Sequence, residues 1–352
     1  MLQFKRLSIF KKTKLKRLKK MTSIYDIAKA AGTSIATVSY VINKSGRVSP
    51  ETTARVEKAI HDLHYEPKAF ARALAKGHTF TISLVSPLSI YEHQVSLTVL
   101  MRGVGEVLEN SDYRLFVHPT LDRADSWMEL EAAARSRQMD GVILLHVQMQ
   151  DKRIDVLKKE SIPFVLIGRT QDNTNLDLVD ADVDGAVRLA VNHLMECGHQ
   201  KICMVGERGN AGISFRLVDQ FKKIVSEKEL PFQATWCSQM AETSDELVNT
   251  LVKILSTFDR PTAVFAVSDI AVLSTLKAAR LMHLRIPQDL AVIGYADSPI
   301  YQHLDPPISA VFNGAEELGR LAAQILLNKL IEPERPSEQV LVSPELVQRQ
   351  ST

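Results

Sequence analysis

The chain has 352 residues, 45% hydrophobic and 24% charged, which are the proportions of an ordinary water-soluble protein with room for two or three domains and a large core. The formal net charge of +2 conceals an asymmetry: residues 1–80 carry 17 Lys or Arg against 5 Asp or Glu, and the remainder carries 26 against 36, so a front end at +12 precedes a body at −10. Such a front end suits contact with phosphates, while the lack of any apolar run of membrane-spanning length and the three cysteines argue against a membrane protein or a disulfide framework and for a reducing cytoplasm.

Residues 1–20 (MLQFKRLSIFKKTKLKRLKK) hold nine of the basic residues and lack the apolar core of a secretory signal. The leader is expected to be a disordered tail or a stretch upstream of a true start at Met21, because the segment from Thr22 needs nothing before it. Ser23-Ile24-Tyr25-Asp26 has the capping-box form that opens a helix. Ile24, Ile27, Ala28 and Ala31 then fall on one helical face. Gly32-Thr33 ends that helix, and Ser34 caps a second, Ile35-Ala36-Thr37-Val38-Ser39-Tyr40-Val41-Ile42, whose Val38, Val41 and Ile42 point inward. Ser34, Ile35, Ala36, Thr37, Ser39 and Tyr40 are left for the outside. Ser49-Pro50 starts a third helix, in which Val56, Ala59, Ile60 and Leu63 are expected to close a small core. One helix crossing the DNA backbone, followed by a second offering its N-terminal residues to base edges, is helix-turn-helix geometry. Hydroxyls there suit phosphates or bases, and Ile35 and Ala36 suit thymine methyls. Tyr25 is expected to touch DNA from the first helix, and Asn43, Lys44, Arg47 and Ser49 to contact phosphates that position without specifying.

From Pro67 to Ala75 the chain is rich in helix formers, but a helix this short is marginal alone in water. Paired with a second copy on DNA, it could fold on binding. From Thr79 onward short apolar runs alternate with amphipathic stretches. Strands are expected at Thr81–Val85, Arg114–His118, Gly141–Leu145, Phe164–Ile167, Lys201–Val205, Thr262–Ala266 and Leu290–Ile293. Helices are expected at, for example, Leu97–Leu108, Val156–Lys159, Ala186–Met195, Thr243–Phe258 and Ile270–Leu281. This alternation implies parallel sheets with helices on both faces, and its extent implies two doubly wound lobes. Ligands of such sheets sit outside the carboxyl ends of strands, which makes Ser86, Arg169, Ser268, Asp269 and Asp297 candidate binding residues.

The run DIAKAAGTSIATVSYVINKSGRVSPETTARVEKAIHDLHYEPKAFARAL closely resembles the head of the lactose/galactose-repressor (LacI/GalR) family of bacterial regulators, through DIAKAAG, TVS, VIN, VSPETTARV and ARAL. IPFVLIGR, HLMECGHQKI, PTAVFAVSDIAVLSTLKAA, IPQDLAVIGYAD, PPISAV and LVQRQST extend the resemblance through the body, to the type I periplasmic-binding-protein-like domain of that family. The resemblance implies a helix-turn-helix domain at 21–66, a hinge helix at 67–77 and a two-lobed effector-binding and dimerisation domain at 78–352. It implies that Ile35, Ala36 and Tyr40 choose the operator and that Ser34, Thr37, Ser39, Asn43 and Thr52 contact the DNA backbone. The same resemblance places Lys68, Ala71 and Leu74 of the hinge against DNA, with Leu74 as the wedge that opens a base step in the minor groove. In the body it makes Arg216 an effector contact, Ser268 a cleft residue and Asp269 its neighbour; the fork of Arg216 suits paired sugar hydroxyls.

Four departures stand out. Tyr40 replaces the usual Arg, and Lys68 the usual Asn. The Gly-aromatic-Asp-Asp motif reads Gly294-Tyr295-Ala296-Asp297, and Asp219-Gln220 stands where a Gly-aromatic pair is usual.

The expected function is a cytoplasmic repressor of carbohydrate-utilisation genes. It would bind a pseudo-palindromic operator as a homodimer and answer to a small molecule, expected to be a sugar, as inducer or co-repressor. No heptad tail follows LVQRQST to make a tetramer. A transport-type binding protein fits the body but not the head. An enzyme is not expected, and no cofactor, since phosphate-cradling, dinucleotide and nucleophile-elbow motifs are lacking. Cys197, His199 and Cys203 lack zinc spacing and, with His193, are read as structural. The wedge reading makes one expectation concrete: Leu74→Ala lowers affinity for the operator more than for random duplex in a gel-shift titration, and equal losses on both would remove the wedge.

Overall fold

The computed structural model describes residues 22–42, 46–63, 65, 78–87, 94–120, 127–207, 212–241, 243–312 and 314–352. Its contacts divide the chain into two units, Met1–His78 and Thr79–Thr352. The basic leader, Asn43, Lys44 and the hinge with Lys68, Ala71 and Leu74 lie outside the described residues.

In the first unit, α1 (Ile24–Ala30), α2 (Ile35–Ile42) and α3 (Pro50–Asp62) form a small three-helix head. Both halves of the capping box are present: the Asp26 backbone N–H donates to the Ser23 hydroxyl, and the Ser23 N–H donates to the Asp26 carboxylate at 2.9 Å. At the other end of α1, Gly32 takes φ +63°, and the Thr33 and Gly32 N–H groups donate to Ala28 and Lys29 carbonyls at 3.0 and 3.4 Å. This is the Schellman closure, and a left-handed residue is needed to turn the chain so tightly. Ile27, Ala28, Ala31, Val38, Val56 and Ala59 are buried together, with Ile24, Val41, Ile42 and Ile60 packed against them. Leu63 departs from expectation: it is exposed, and Tyr65 is buried in the core instead. The helical period that pointed Leu63 inward ends one residue earlier, at Asp62, so the chain has already turned.

The second unit holds two sheets of six strands each. The first runs β11 (Gln339–Val342), β5 (Leu178–Ala181), β4 (Phe164–Ile167), β3 (Gly141–Leu144), β1 (Thr81–Pro87), β2 (Arg114–Thr120). The second runs β12 (Glu345–Val347), β10 (Ser309–Phe312), β9 (Ala291–Gly294), β8 (Ala263–Ala266), β6 (Ile202–Glu207), β7 (Cys237–Ala241). Every pairing is parallel except β10 with β12.

Strand alternation assigns the two faces of each sheet. In the first, Ile143 joins Leu100 and Val104 of α4 (Gln94–Leu108) and Leu318, Ala322 and Leu326 of α11 (Ala315–Ile331). Its neighbours Val142 and Leu144 join Leu130 of α5 (Trp127–Arg135) and Leu157 of α6 (Lys152–Lys159) on the opposite face. In the second, Met204 faces α7 (Val183–Glu196) and α8 (Gly212–Glu227), whereas Cys203 and Val205 face α9 (Ser244–Leu255) and α10 (Asp269–Leu281). Since α11 sends its chain into β11 of the first sheet and then β12 of the second, the backbone passes between lobes after β5, after β10 and after β11.

Helices α4 and α11 meet backbone to backbone. A Cβ at Gly103 would lie 2.0 Å from the Glu316 carbonyl oxygen, and one at Gly319 would lie 2.1 Å from that of Leu100. Gly105, two residues along the same helix, faces open space. Gly103→Ala is therefore expected to cost about 1–3 kcal/mol by overpacking, while Gly105→Ala gains roughly 0.5–1 kcal/mol from helix propensity. Urea unfolding midpoints of the two variants test the contrast, and equal effects would refute the close contact.

Candidate functional site

The head presents one polar and apolar face free of carboxylates along α2, which has no acidic residue in its first turn. Ser34 caps it: the Thr37 N–H donates to the Ser34 Oγ at 3.1 Å, and the two hydroxyls lie 2.8 Å apart. One hydroxyl proton satisfies that pair and the other remains for a phosphate at a helix N-terminus, where backbone N–H groups and the dipole already favour an anion. Ile35, Ala36 and Tyr40 are exposed, Thr37 and Ser39 half-buried. Tyr25, at 69% exposure, is the most exposed large hydrophobic among the described residues of the head. The Arg47 guanidinium lies 5.7 Å from the centre of the Tyr40 ring, within cation–π reach. Arg47 thus steadies the aromatic that stands where Arg is usual. Thr52 is half-buried in the first turn of α3, where its hydroxyl accepts from Ser49 Oγ and Arg55 Nη2 at 3.0 and 3.3 Å.

In the second unit a cavity of about 130 Å³ opens at the carboxyl ends of β3, β4, β5 and β9. Gly168, at φ +106°, turns the chain out of β4 and delivers Arg169 to the wall. Arg216 arrives from α8 and Asp180 from within β5. Asp180 is 1% exposed. Its carboxylate accepts from Arg169 Nε at 2.5 Å and from Arg216 Nη1 at 3.1 and 2.8 Å. A carboxylate this deep requires such charge-assisted bonds to offset its desolvation. Tyr295, just past β9, completes this end of the wall, and its hydroxyl is buried without a hydrogen-bond partner among the described residues. Burial, then the Asp180 charge, holds that phenol above its usual pKa, so it remains a proton donor. Leu97, Leu100, Leu145, Val147, Ile167 and Leu318 supply apolar wall. The loop after β3 is fixed by a buried pair in which Arg153 bonds Asp151 and also donates to the carbonyls of Leu145 and His146.

The remaining candidates are engaged elsewhere. Ser86 is fully buried with its hydroxyl 3.4 Å from His146 Nδ1, one residue behind the wall. Ser268 is the N-cap of α10, accepting from the Ala271 N–H at 2.9 Å, and Asp269 is the first residue of that helix. Asp297 takes both Arg349 amino groups at 2.7 and 2.9 Å. None of these four lines the cavity, whereas Arg169 and Arg216 both do. Asp180 was not among the expected binding residues, since its acidic neighbours Asp177 and Asp182 make it inconspicuous in the sequence, and Tyr295 stood there only as part of the Gly294-Tyr295-Ala296-Asp297 motif. His193 contacts Thr352 Oγ1 at 2.8 Å and His199 contacts Thr262 Oγ1 at 3.0 Å; burial lowers both pKa values.

A family model described as bacterial regulatory proteins, lacI family, matches residues 23–68, and one described as periplasmic binding protein-like domain matches residues 191–352. The HTH-type transcriptional repressor PurR of Haemophilus influenzae (strain PittEE) is 30% identical over 336 residues, covering 94% of this chain and 98% of its own. The solved transcriptional regulator CelR–cellobiose complex superposes with a TM-score of 0.71 at 26% identity, over 94% of this chain and 100% of the other. The lac repressor dimer bound to operator and the anti-inducer ONPF superposes at 0.81 with 22% identity, over 94% and 99%, which is a likeness of fold.

Neutralising Asp180 leaves two guanidinium groups facing each other without their shared partner. Asp180→Asn is expected to lose about 2 kcal/mol of stability, less than a wholly buried pair would lose because Arg169 is partly solvated. Denaturant titration reads this directly, and an unchanged midpoint would mean that the carboxylate does not hold the wall.

Proposed function

The chain belongs to the lacI family of DNA-binding transcriptional repressors, and we propose that it works as a homodimer on a pseudo-palindromic operator, its grip set by a small molecule held between Arg169, Arg216 and Tyr295. The observation that carries the reading is the exposed, acid-free face of α2, with Ile35, Ala36 and Tyr40 at the positions that would meet base edges. Ser34 and Thr37 at the helix start, together with Arg47 and Thr52, supply the backbone contacts that set register. Tyr25 adds contact from α1. Asn43, Lys68, Ala71 and Leu74 belong to the same proposed surface.

Dimerisation has support from the edge strand β2, where Phe116 and Val117 are 57% and 42% exposed. An apolar, unpaired sheet edge invites a second chain. The effector enters at the strand ends, and a shift in how the lobes sit around it would reach the DNA-binding unit through residues 67–77.

Two observations bear on the effector. The cellobiose complex of a neighbour at 26% identity supports a carbohydrate. The departures count against one: Ser268 and Asp297 lie outside the wall, committed to a helix cap and to Arg349, and Ala296 stands where a carboxylate is usual.

The test is quantitative footprinting on genomic fragments with rising salt. Operator affinity is expected to fall steeply through counterion release, and Tyr40→Ala to lose about 1–3 kcal/mol on the preferred site with little change on random duplex. A flat salt response, or a Tyr40→Ala variant that keeps the same site preference, would overturn the reading.

A further inference from the structure

The polar end of the cavity has more positive than negative charge. Its wall sets two guanidiniums, Arg169 and Arg216, against the carboxylate of Asp180, while the imidazole of His146 meets the Ser86 hydroxyl at 3.4 Å. Asp182 lies close enough to act on Tyr295, but its carboxylate accepts from the Gly185 N–H at 2.9 Å as the N-cap of α7, where the helix end already meets its charge. Neither Arg exhausts its donors on Asp180. Among the described residues, Arg169 bonds it through Nε, and the second amino group of Arg216 reaches the Ala181 carbonyl at 3.5 Å. An independent observation marks the same spot. The Tyr295 hydroxyl is buried with no partner among the described residues, and an unmet buried donor is destabilising. Much of the rest of the wall is hydrocarbon, from Leu97, Leu100, Leu145, Val147, Ile213 and Leu318. A polyol would strand its hydroxyls there.

We propose that the effector is a small monocarboxylate with a hydrocarbon or aromatic body: its carboxylate bridges Arg169, Arg216 and the Tyr295 hydroxyl, and its body lies on the leucines. The assignment rests on the cavity being the effector site. The ligand's charge balances the triad to neutrality, its two oxygens accept the guanidinium forks as charge-assisted bonds, and the phenol gains the acceptor it lacks. Burial of an apolar body adds affinity that a free inorganic anion would not gain. The geometry gives Tyr295 a positioning and selecting role, since its hydroxyl donates to the ligand's carboxylate.

Calorimetric titration of the purified full chain tests this, with benzoate and hexanoate as probes and benzamide, ribose, cellobiose and adenine as comparators. Benzoate or hexanoate is expected to bind, with benzamide at least about 30-fold weaker for want of the charge. Tyr295→Phe keeps the ring and removes an unpaired hydroxyl, so the unliganded protein is expected to unfold no earlier than the parent while its affinity for the acid falls about tenfold. Arg216→Leu is expected to abolish binding; should that variant fold poorly, Tyr295→Phe alone still decides. Silence from both acids, benzamide binding as well as benzoate, or Tyr295→Phe binding the acid unchanged overturns the carboxylate assignment. A sugar or purine that binds in place of the acids and is lost in Arg216→Leu overturns it too, yet leaves the cavity as the effector site. A ligand indifferent to both substitutions removes the cavity reading itself.

Discussion

One buried carboxylate organises the second unit. Asp180 lies inside a strand, 1% exposed, and joins an Arg from the loop after β4 to an Arg from α8. Arg169 belongs to the first sheet's loops and Arg216 to a helix packed on the second sheet, so the ion triad ties the two lobes where the ligand would enter. Such a tie is strong only while its partners stay in place, because a charge in low dielectric is costly when left alone. Anything that adds an anion there changes the balance on both guanidiniums together. An electrostatic joint between two bodies is the kind of two-state element whose equilibrium a ligand biases.

Much of this was legible in the residues. The head's capping box, its Gly32 turn and its inward Val38 followed from local rules, because caps and left-handed turns depend on neighbours a few positions away. The alternation of the body located seven strands, and Phe164–Ile167 agrees at both ends. The strands not foreseen differ in kind. β7, β11 and β12 are sheet edges, β12 being only three residues long, and β5 carries Asp180 among acidic neighbours in the sequence. Hydrophobic periodicity finds strands buried on both faces most readily, and β2 is the one edge strand it located.

The site was legible in outline only. Of the residues that the carboxyl-end rule singled out, Arg169 lines the cavity, as does Arg216, which the resemblance supplied. The rule did not reveal which side chains were already engaged. Ser268 is a helix cap set by a residue three positions on, and its cap pattern could have been read. Asp297 is held by Arg349, 52 positions away, a pairing that only the fold creates. Leu63 and Tyr65 teach the same lesson within the head, where the change of direction after Asp62 decided which of two apolar residues went inside.

The path of the backbone between the two sheets has a mechanical consequence. Three strings of chain, leaving β5, β10 and β11, bridge the lobes side by side. A single proteolytic nick in one of them leaves two intact, so the halves stay leashed and in register. Three struts also resist sliding and wholesale separation while allowing the lobes to rock about the line they define.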